Sequence, residues 1–171
     1  IEDEDVSYQP GDYIGIVPEN KKELIESIIA MTAIDASASI DYKDELISVY
    51  DLLHKKINIV HLPERVVKKY AAVLQQDIPE TKIDLLDLLK IYPVKDELEF
   101  TEVIKILEPI APRLYSIASS PEAHPGEIHI TVAKSCFTVN SEAKYGLASE
   151  FLSLLNEDNE LSFYIHPNNQ F

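Results

Sequence analysis

Arg113-Leu114-Tyr115-Ser116-Ile117-Ala118-Ser119-Ser120 is the stretch on which the reading of this chain turns. Eight residues hold one permanent cation, one flat aromatic ring and three hydroxyls. Pro109 and Pro112 precede it and Pro121 follows. Proline lacks an N–H and fixes φ, so helical text upstream stops here. From Leu114 to Ile117 the side chains alternate across a strand, with Tyr115 and Ile117 on one face and Leu114 and Ser116 on the other. A guanidinium suits a phosphate because its planar fork donates two parallel hydrogen bonds. A tyrosine two residues on presents a flat face to a conjugated ring. Taken alone, the same residues also describe an edge strand with a surface arginine.

Upstream, Val6 to Gln9 reads as a short strand, Pro10-Gly11-Asp12 as a turn, and Tyr13 to Val17 as a second strand. Gly15 inside that strand signals a bulge or a close approach by another group. From Asn20 the apolar period becomes helical. Asn20 is read as the cap of a helix to about Met31, and Ser37 to Tyr42 as a short strand. Asp44 is read as the cap of a helix carrying Leu46, Ile47 and Tyr50. Pro63 opens a helix to about Gln75, a further helix covers Lys82 to Ile91, and Thr101 caps the last. No glycine occurs between Gly15 and Gly126, which fits a helical block.

After Pro112 the period returns to two. Glu127 to Ala133 alternates and is read as a strand running on towards Phe137. Cys136 is read as a packed strand residue, Asn140 to Lys144 as a polar connection, and Leu161 to Ile165 as the final strand. Gly146-Leu147-Ala148-Ser149 opens a helix to about Leu155. Helix starts attract anions through unpaired N–H groups and the positive end of the macrodipole. Gly146 lets an anion approach the backbone, and Ser149 adds a hydroxyl. A plain loop-to-helix junction would look the same. Strands, then helices, then strands argue for an α+β protein: an antiparallel sheet or barrel interrupted by a helical insertion.

Composition narrows the function. The chain has 171 residues, 46% of them hydrophobic, with no apolar run long enough to span a bilayer. A formal charge of −15 would repel phosphate backbones, so nucleic acid is not an expected partner. One cysteine rules out an internal disulfide framework and fits a reducing compartment, hence an expected cytoplasmic location. The five histidines lack a spacing such as His-x-x-x-His, so no metal site is read. Ser116 sits in no nucleophile elbow, and a phosphate-ester hydrolase would lack a base. No Gly-x-Gly-x-x-Gly is present.

Together the blocks resemble the FAD-binding region of the diflavin reductases, in the ferredoxin–NADP reductase superfamily, and most of all its sulfite reductase flavoprotein branch. The matching text is Tyr8-Gln9-Pro10-Gly11-Asp12-Tyr13-Ile14-Gly15-Ile16, Pro112 to Pro121, Glu127 to Ala133, Gly146 to Leu152, and Ile165 to Phe171. The resemblance implies a flavin-binding antiparallel β-barrel, residues 1–19 and 110–171, with an all-helical connecting insertion over 20–109 and the first barrel strand truncated. It implies FAD as cofactor, with Leu114 among the residues that bind it, Arg113 on the pyrophosphate and Tyr115 stacked on the isoalloxazine. Ser116 then lies near the redox-active edge. Thr131, Val132 and Ala133 line the flavin, Phe137 meets the adenine, and Gly146, Leu147, Ala148 and Ser149 hold the pyrophosphate. No side chain is implied as a catalytic acid or base.

Two positions depart from the family pattern. Phe137 stands where relatives have tyrosine, and Ala72 where one has a flavin-contacting threonine. The chain stops at Phe171, where relatives continue into an NADP-binding domain, and it carries no FMN domain. It is therefore read as a piece of a longer NADPH-dependent oxidoreductase. In that parent, electrons would pass from NADPH through FAD to FMN or a downstream acceptor such as a heme protein. NADPH and FMN would be bound by the parent, and this piece alone would not turn over NADPH. The alternative is a non-catalytic protein-docking module that has kept the barrel.

Overall fold

The computed structural model describes residues 1–139 and 142–168. The start of the connection read at Asn140, and the last three residues of the matching text, Asn169 to Phe171, lie outside them. The chain divides into two compact units, one made of Ile1–Pro18 with Ala111–Phe171, the other of Glu19–Ile110. Helices and strands are mixed, as an α+β reading requires.

The first unit is built on β1 (Tyr13–Ile16). The second unit follows with α1 (Lys22–Thr32), the strands β2 (Ser39–Tyr42) and β3 (Glu45–Ser48), and α2 (Val49–Asp51). That short helix runs into a π-helical turn, Leu52–Lys56, and is followed by α3 (Glu64–Leu74), α4 (Leu85–Ile91) and α5 (Glu97–Ile106). The chain then returns to the first unit with β4 (Arg113–Ser116), β5 (Cys136–Val139), β6 (Glu142–Tyr145), α6 (Leu147–Leu154) and β7 (Phe163–His166).

The helical unit closes around one apolar core. Ile25 and Ile28 of α1, Val66, Val67 and Tyr70 of α3, Leu85, Leu88 and Leu89 of α4, and Phe100, Val103 and Ile104 of α5 are all buried. The spacing of these positions at three and four residues puts each set on one helical stripe. Lacking glycine, the unit ends α1 and α3 with Ala33 and Gln75 in the left-handed region, at φ 52° and 55°.

Three expectations change here. Lys43 and Asp44 take φ 54° and 66°, forming the two-residue turn of a β2–β3 hairpin in which Ile40 pairs with Ile47. Leu46 and Ile47 are therefore strand residues, and the helix starts only after Ser48, whose hydroxyl accepts from the Asp51 N–H at 3.0 Å. Asp96, not Thr101, caps α5, accepting from the Glu99 N–H at 2.8 Å; Thr101 sits inside the helix and donates to the Glu97 carbonyl. Asn20 does not cap α1. It is 2% exposed and its amide donates to the Leu53 and Ile57 carbonyls at 2.7 and 2.8 Å.

In the first unit β1 is the central strand of an antiparallel sheet, order β4-β1-β7. Ile14 faces Tyr115 and Ile165, while Gly15 faces Leu114 and Tyr164. Ile14, Ile16, Ile117, Ile128 and Tyr8 form the core beneath it. Gly15 lets the Tyr164 ring lie across the opposite face: a Cβ there would sit 2.2 Å from Tyr164 Cζ.

The described strands form this sheet and two separate hairpins, β2–β3 and β5–β6, and do not close a barrel. Val6 to Gln9 forms no strand, and Glu127 to Ala133 makes single bridges only, Glu2 to Glu127 and Ile117 to Ile130. Side chains take the ladder's place there. The His129 N–H donates to Ser119 Oγ at 3.0 Å, and the Tyr8 hydroxyl donates to the Glu127 carbonyl at 2.9 Å. Glu142 to Lys144, within the segment read as a polar connection, belong to β6, which pairs Tyr145 with Cys136. Cys136 is exposed on this two-stranded ribbon and is not the packed residue expected.

Candidate functional site

The strand β4 places Arg113 and Tyr115 on the same sheet face as Ile16 and Ile14, their register partners, and puts Leu114 and Ser116 on the other. Arg113 stands at the strand's open end and is exposed, so its guanidinium keeps its hydration and its fork. Tyr115 is half-buried against the core. Burial raises its phenol above the ordinary value, and Arg113 alongside offsets part of that. The ring is therefore neutral at physiological pH and held by packing. Leu114 is 49% exposed.

Ser116 lines a cleft of about 390 Å³ with Pro10, Gly11, Tyr13, Ala118 and Asn168. Its wall is set by Asp12, a residue that the sequence pattern marked only as part of a turn. The Asp12 carboxylate accepts from the Gln9 N–H and the Asn168 N–H, both at 2.9 Å, and the Asp12 carbonyl accepts from the Ile117 N–H at 3.0 Å. The two bonds to the carboxylate, that from Asn168 first, hold it below its ordinary range. The Asn168 amide also donates to the Gly11 carbonyl at 3.1 Å. One ionised turn residue thus ties the entry to β1, the exit of β4 and the end of β7 together.

A second group forms at the start of α6. Gly146 precedes the helix, and Leu147, Ala148 and Ser149 make its first turn, where N–H groups have no carbonyl partner in the helix. The turn is clamped to Ser135. The Gly146 N–H donates to the Ser135 carbonyl, the Ser135 N–H donates to Ser149 Oγ, and the Ser149 hydroxyl donates to the Gly146 carbonyl, each at 3.1 Å. A Cβ on Gly146 would lie 3.2 Å from Ser135 Cβ, so glycine is what allows this approach. Ser149 is buried and its proton is committed to its own helix start. Its part here is to fix the turn, leaving the backbone N–H groups as donors. Nothing in the sequence marked Ser135.

Thr131, Val132 and Ala133 follow the Ile117–Ile130 bridge without a ladder; Thr131 and Ala133 are exposed and Val132 is half-buried. Phe137 lies on β5 opposite Lys144, with 40% of its surface exposed. Lys134 sits over the Tyr145 ring at 4.6 Å, placing a cation beside the entrance to α6. Every one of these residues belongs to the first unit. Ala72, on α3 in the second unit, is exposed.

Such an arrangement offers a guanidinium, a half-buried aromatic ring and a helix start. That set suits an elongated ligand with a phosphate portion and a conjugated ring.

Residues 64–151 match the model of the family described as FAD binding domain. The sulfite reductase (NADPH) flavoprotein alpha-component of Vibrio vulnificus is 31% identical over 97% of this chain. Those of Vibrio parahaemolyticus and Buchnera aphidicola are 30% and 29% identical, also over 97% of it. The chain spans about 30% of the length of these relatives. Among the described residues no helix is long and apolar enough to cross a membrane.

Proposed function

We propose, from the premise that this chain belongs to the FAD binding domain family, that it is the flavin-holding part of a sulfite reductase flavoprotein-like NADPH oxidoreductase. FAD is the cofactor of this family. The observation that carries the proposal is the pairing, on one four-residue strand, of an exposed guanidinium with a packed aromatic ring. The donor set fits the cofactor. Arg113 would take the pyrophosphate with the N–H groups of Leu147 and Ala148, on a turn that Gly146 and Ser149 hold in shape. Tyr115 would offer its face to the flavin, Leu114 would contact the cofactor from the neighbouring position on the strand, and Ser116 would offer its hydroxyl at the ring edge. Thr131, Val132 and Ala133 would line the ring, and Phe137 would stack on the adenine without a hydroxyl contact.

Residues 1–19 with 110–171 would act as the family's flavin-binding barrel and residues 20–109 as its connecting insertion. When bound, the flavin supplies hydride acceptance and single-electron release. The chain's own part is to hold, orient and desolvate. Arg113 would neutralise phosphate charge, and Tyr115, whose phenol burial shifts further upward, would serve as an uncharged stacking surface. In the parent protein the hydride would come from NADPH on an NADP-binding domain. Electrons would leave to an FMN domain or protein, or to a downstream acceptor such as a heme protein, in the cytoplasm.

The test is titration of the full chain with FAD, followed by the flavin's visible absorbance. Uptake at one equivalent is expected. Arg113→Ala should weaken it about 10- to 100-fold, the loss of a charge-assisted hydrogen-bond pair. A folded wild-type chain that stays colourless, or an Arg113→Ala variant that binds equally well, would refute the proposal. The first result would favour a docking module instead.

A further inference from the structure

We infer that the turn His124-Pro125-Gly126-Glu127-Ile128-His129 is a binding site for a divalent transition-metal ion of the zinc class, independent of the flavin reading. Its ligands would be His124, Glu127 and His129, each offering one atom, and those atoms all lie within 4.8 Å of one another. Glu127 Oε2 lies 2.7 Å from His129 Nε2 and 3.7 Å from His124 Nδ1, and the two imidazole centroids are 4.3 Å apart. Metal–nitrogen and metal–oxygen bonds of about 2.0–2.2 Å in a tetrahedron put ligand atoms roughly 3.3 Å apart. The carboxylate already lies beside a nitrogen of each ring. Admitting an ion asks for side-chain shifts of well under a residue's length and no backbone movement.

The backbone carrying the three side chains is fixed from several directions. Gly126 takes φ +74°, which turns the chain back so that Glu127 returns to His124; the Glu127 N–H donates to the His124 carbonyl at 3.2 Å. The His124 N–H donates to the Ser120 carbonyl at 2.9 Å. Tyr8 holds the Glu127 carbonyl, while Ser119 and Ala118 hold both backbone groups of His129. Ligands preset on a tied turn lose little freedom on binding. The chain's linear spacing, His-x-x-Glu-x-His, conceals this, because the turn and not a helix brings the ligands together.

The donor set also selects the ion. Two imidazoles and one carboxylate suit zinc, cobalt or nickel, whereas calcium and magnesium prefer all-oxygen shells. Three protein ligands on an exposed turn leave a further coordination position to water or to a group from another molecule. Paired to this turn, through the Glu2–Glu127 bridge and the Asp3 N–H to the Gly126 carbonyl, runs the acidic segment Glu2-Asp3-Glu4-Asp5. Its charge raises the local concentration of cations.

Isothermal titration of the full chain with zinc chloride, in the presence of millimolar magnesium, tests the inference. One equivalent with micromolar affinity is expected. His124→Ala and His129→Ala should each weaken it at least tenfold, and the double variant should abolish it. Glu127→Gln keeps the shape of the turn and should also weaken binding, so the test stands even if a histidine variant misfolds. The inference falls if wild type takes up no more zinc than the double variant, if Glu127→Gln binds as wild type does, or if magnesium competes at equal concentration.

Discussion

Removing the Asn20 side chain should unfold the helical unit far more readily than its place before a helix would suggest. In the Asn20→Ala variant the Leu53 and Ile57 carbonyls lose donors at 2.7 and 2.8 Å. The site is buried, so water cannot replace the lost donors. Each buried carbonyl left without a donor costs about 1–3 kcal/mol. One term runs the other way: Asn20 Oδ1 is itself buried with no hydrogen-bond partner, so deleting it relieves a smaller cost. The net loss should be about 2–3 kcal/mol. At a urea slope of about 1.5 kcal/mol per molar, the midpoint followed by far-ultraviolet circular dichroism should fall by roughly 1.3–2 M. Asn20→Asp should be worse than alanine, since it aims a carboxylate at the same two carbonyls. Glu26→Ala, on the exposed face of α1, serves as control. A midpoint within about 0.3 M of wild type for Asn20→Ala, or an aspartate variant as stable as alanine, would refute the reasoning.

Gly15→Ala should cost about 0.5–1.5 kcal/mol, because the new Cβ forces the 43%-exposed Tyr164 ring off the sheet. In a Tyr164→Ala background the same change should be neutral or stabilising, since alanine then only removes glycine's backbone entropy; additive effects in the double-mutant cycle would count against the contact. His54 supplies a pH signature. Burial lowers its pKa below the ordinary 6.5, with Glu19 partly opposing. The unfolded chain then takes up the proton first, so stability is full above 6.5 and declines as pH falls from there through the folded value. The urea midpoint should drop between pH 6.5 and 5.5 in wild type and stay flatter in His54→Gln; parallel profiles would overturn the assignment.

The strand at Arg113 and the helix start at Gly146 were legible because proline, glycine and a change of period mark them directly. The stripes of α3 and α5 were legible because their cores are local to the sequence. Other features depended on long-range partners. Lys43 and Asp44 adopt a turn that glycine would normally announce, so Leu46 and Ile47 read equally well as helix. Glu127 to Ala133 alternates like a strand, but its Glu127 carbonyl is taken by the Tyr8 hydroxyl over a hundred residues away and its His129 N–H by Ser119 across a turn. Asn20 looks like a cap because its true partners, Leu53 and Ile57, are distant in sequence. Of the residues named for the candidate site, the structure gathers Arg113 with Tyr115 and Gly146 with Ser149, and adds Asp12, Ser135 and Asn168.

The Asn20 node has a consequence for how the chain assembles. The strand β1 has no partner among the residues that follow it directly; β4 and β7 both lie beyond Pro112. Pairing Ile16 with Arg113 therefore closes a loop of about 100 residues, at an entropic cost of about 4 kcal/mol if that loop were a free coil. It is not left free. The Asn20 side chain binds the Leu53 and Ile57 carbonyls, the Asn58 N–H binds the Glu108 carbonyl, and the Ile110 N–H binds the Lys56 carbonyl. Both ends of the intervening segment are thus fastened to the same few residues. Once that segment has folded, the strands meet across a short gap instead of a long one. Folding of the segment would thus shorten the loop that pairing of Ile16 with Arg113 has to close.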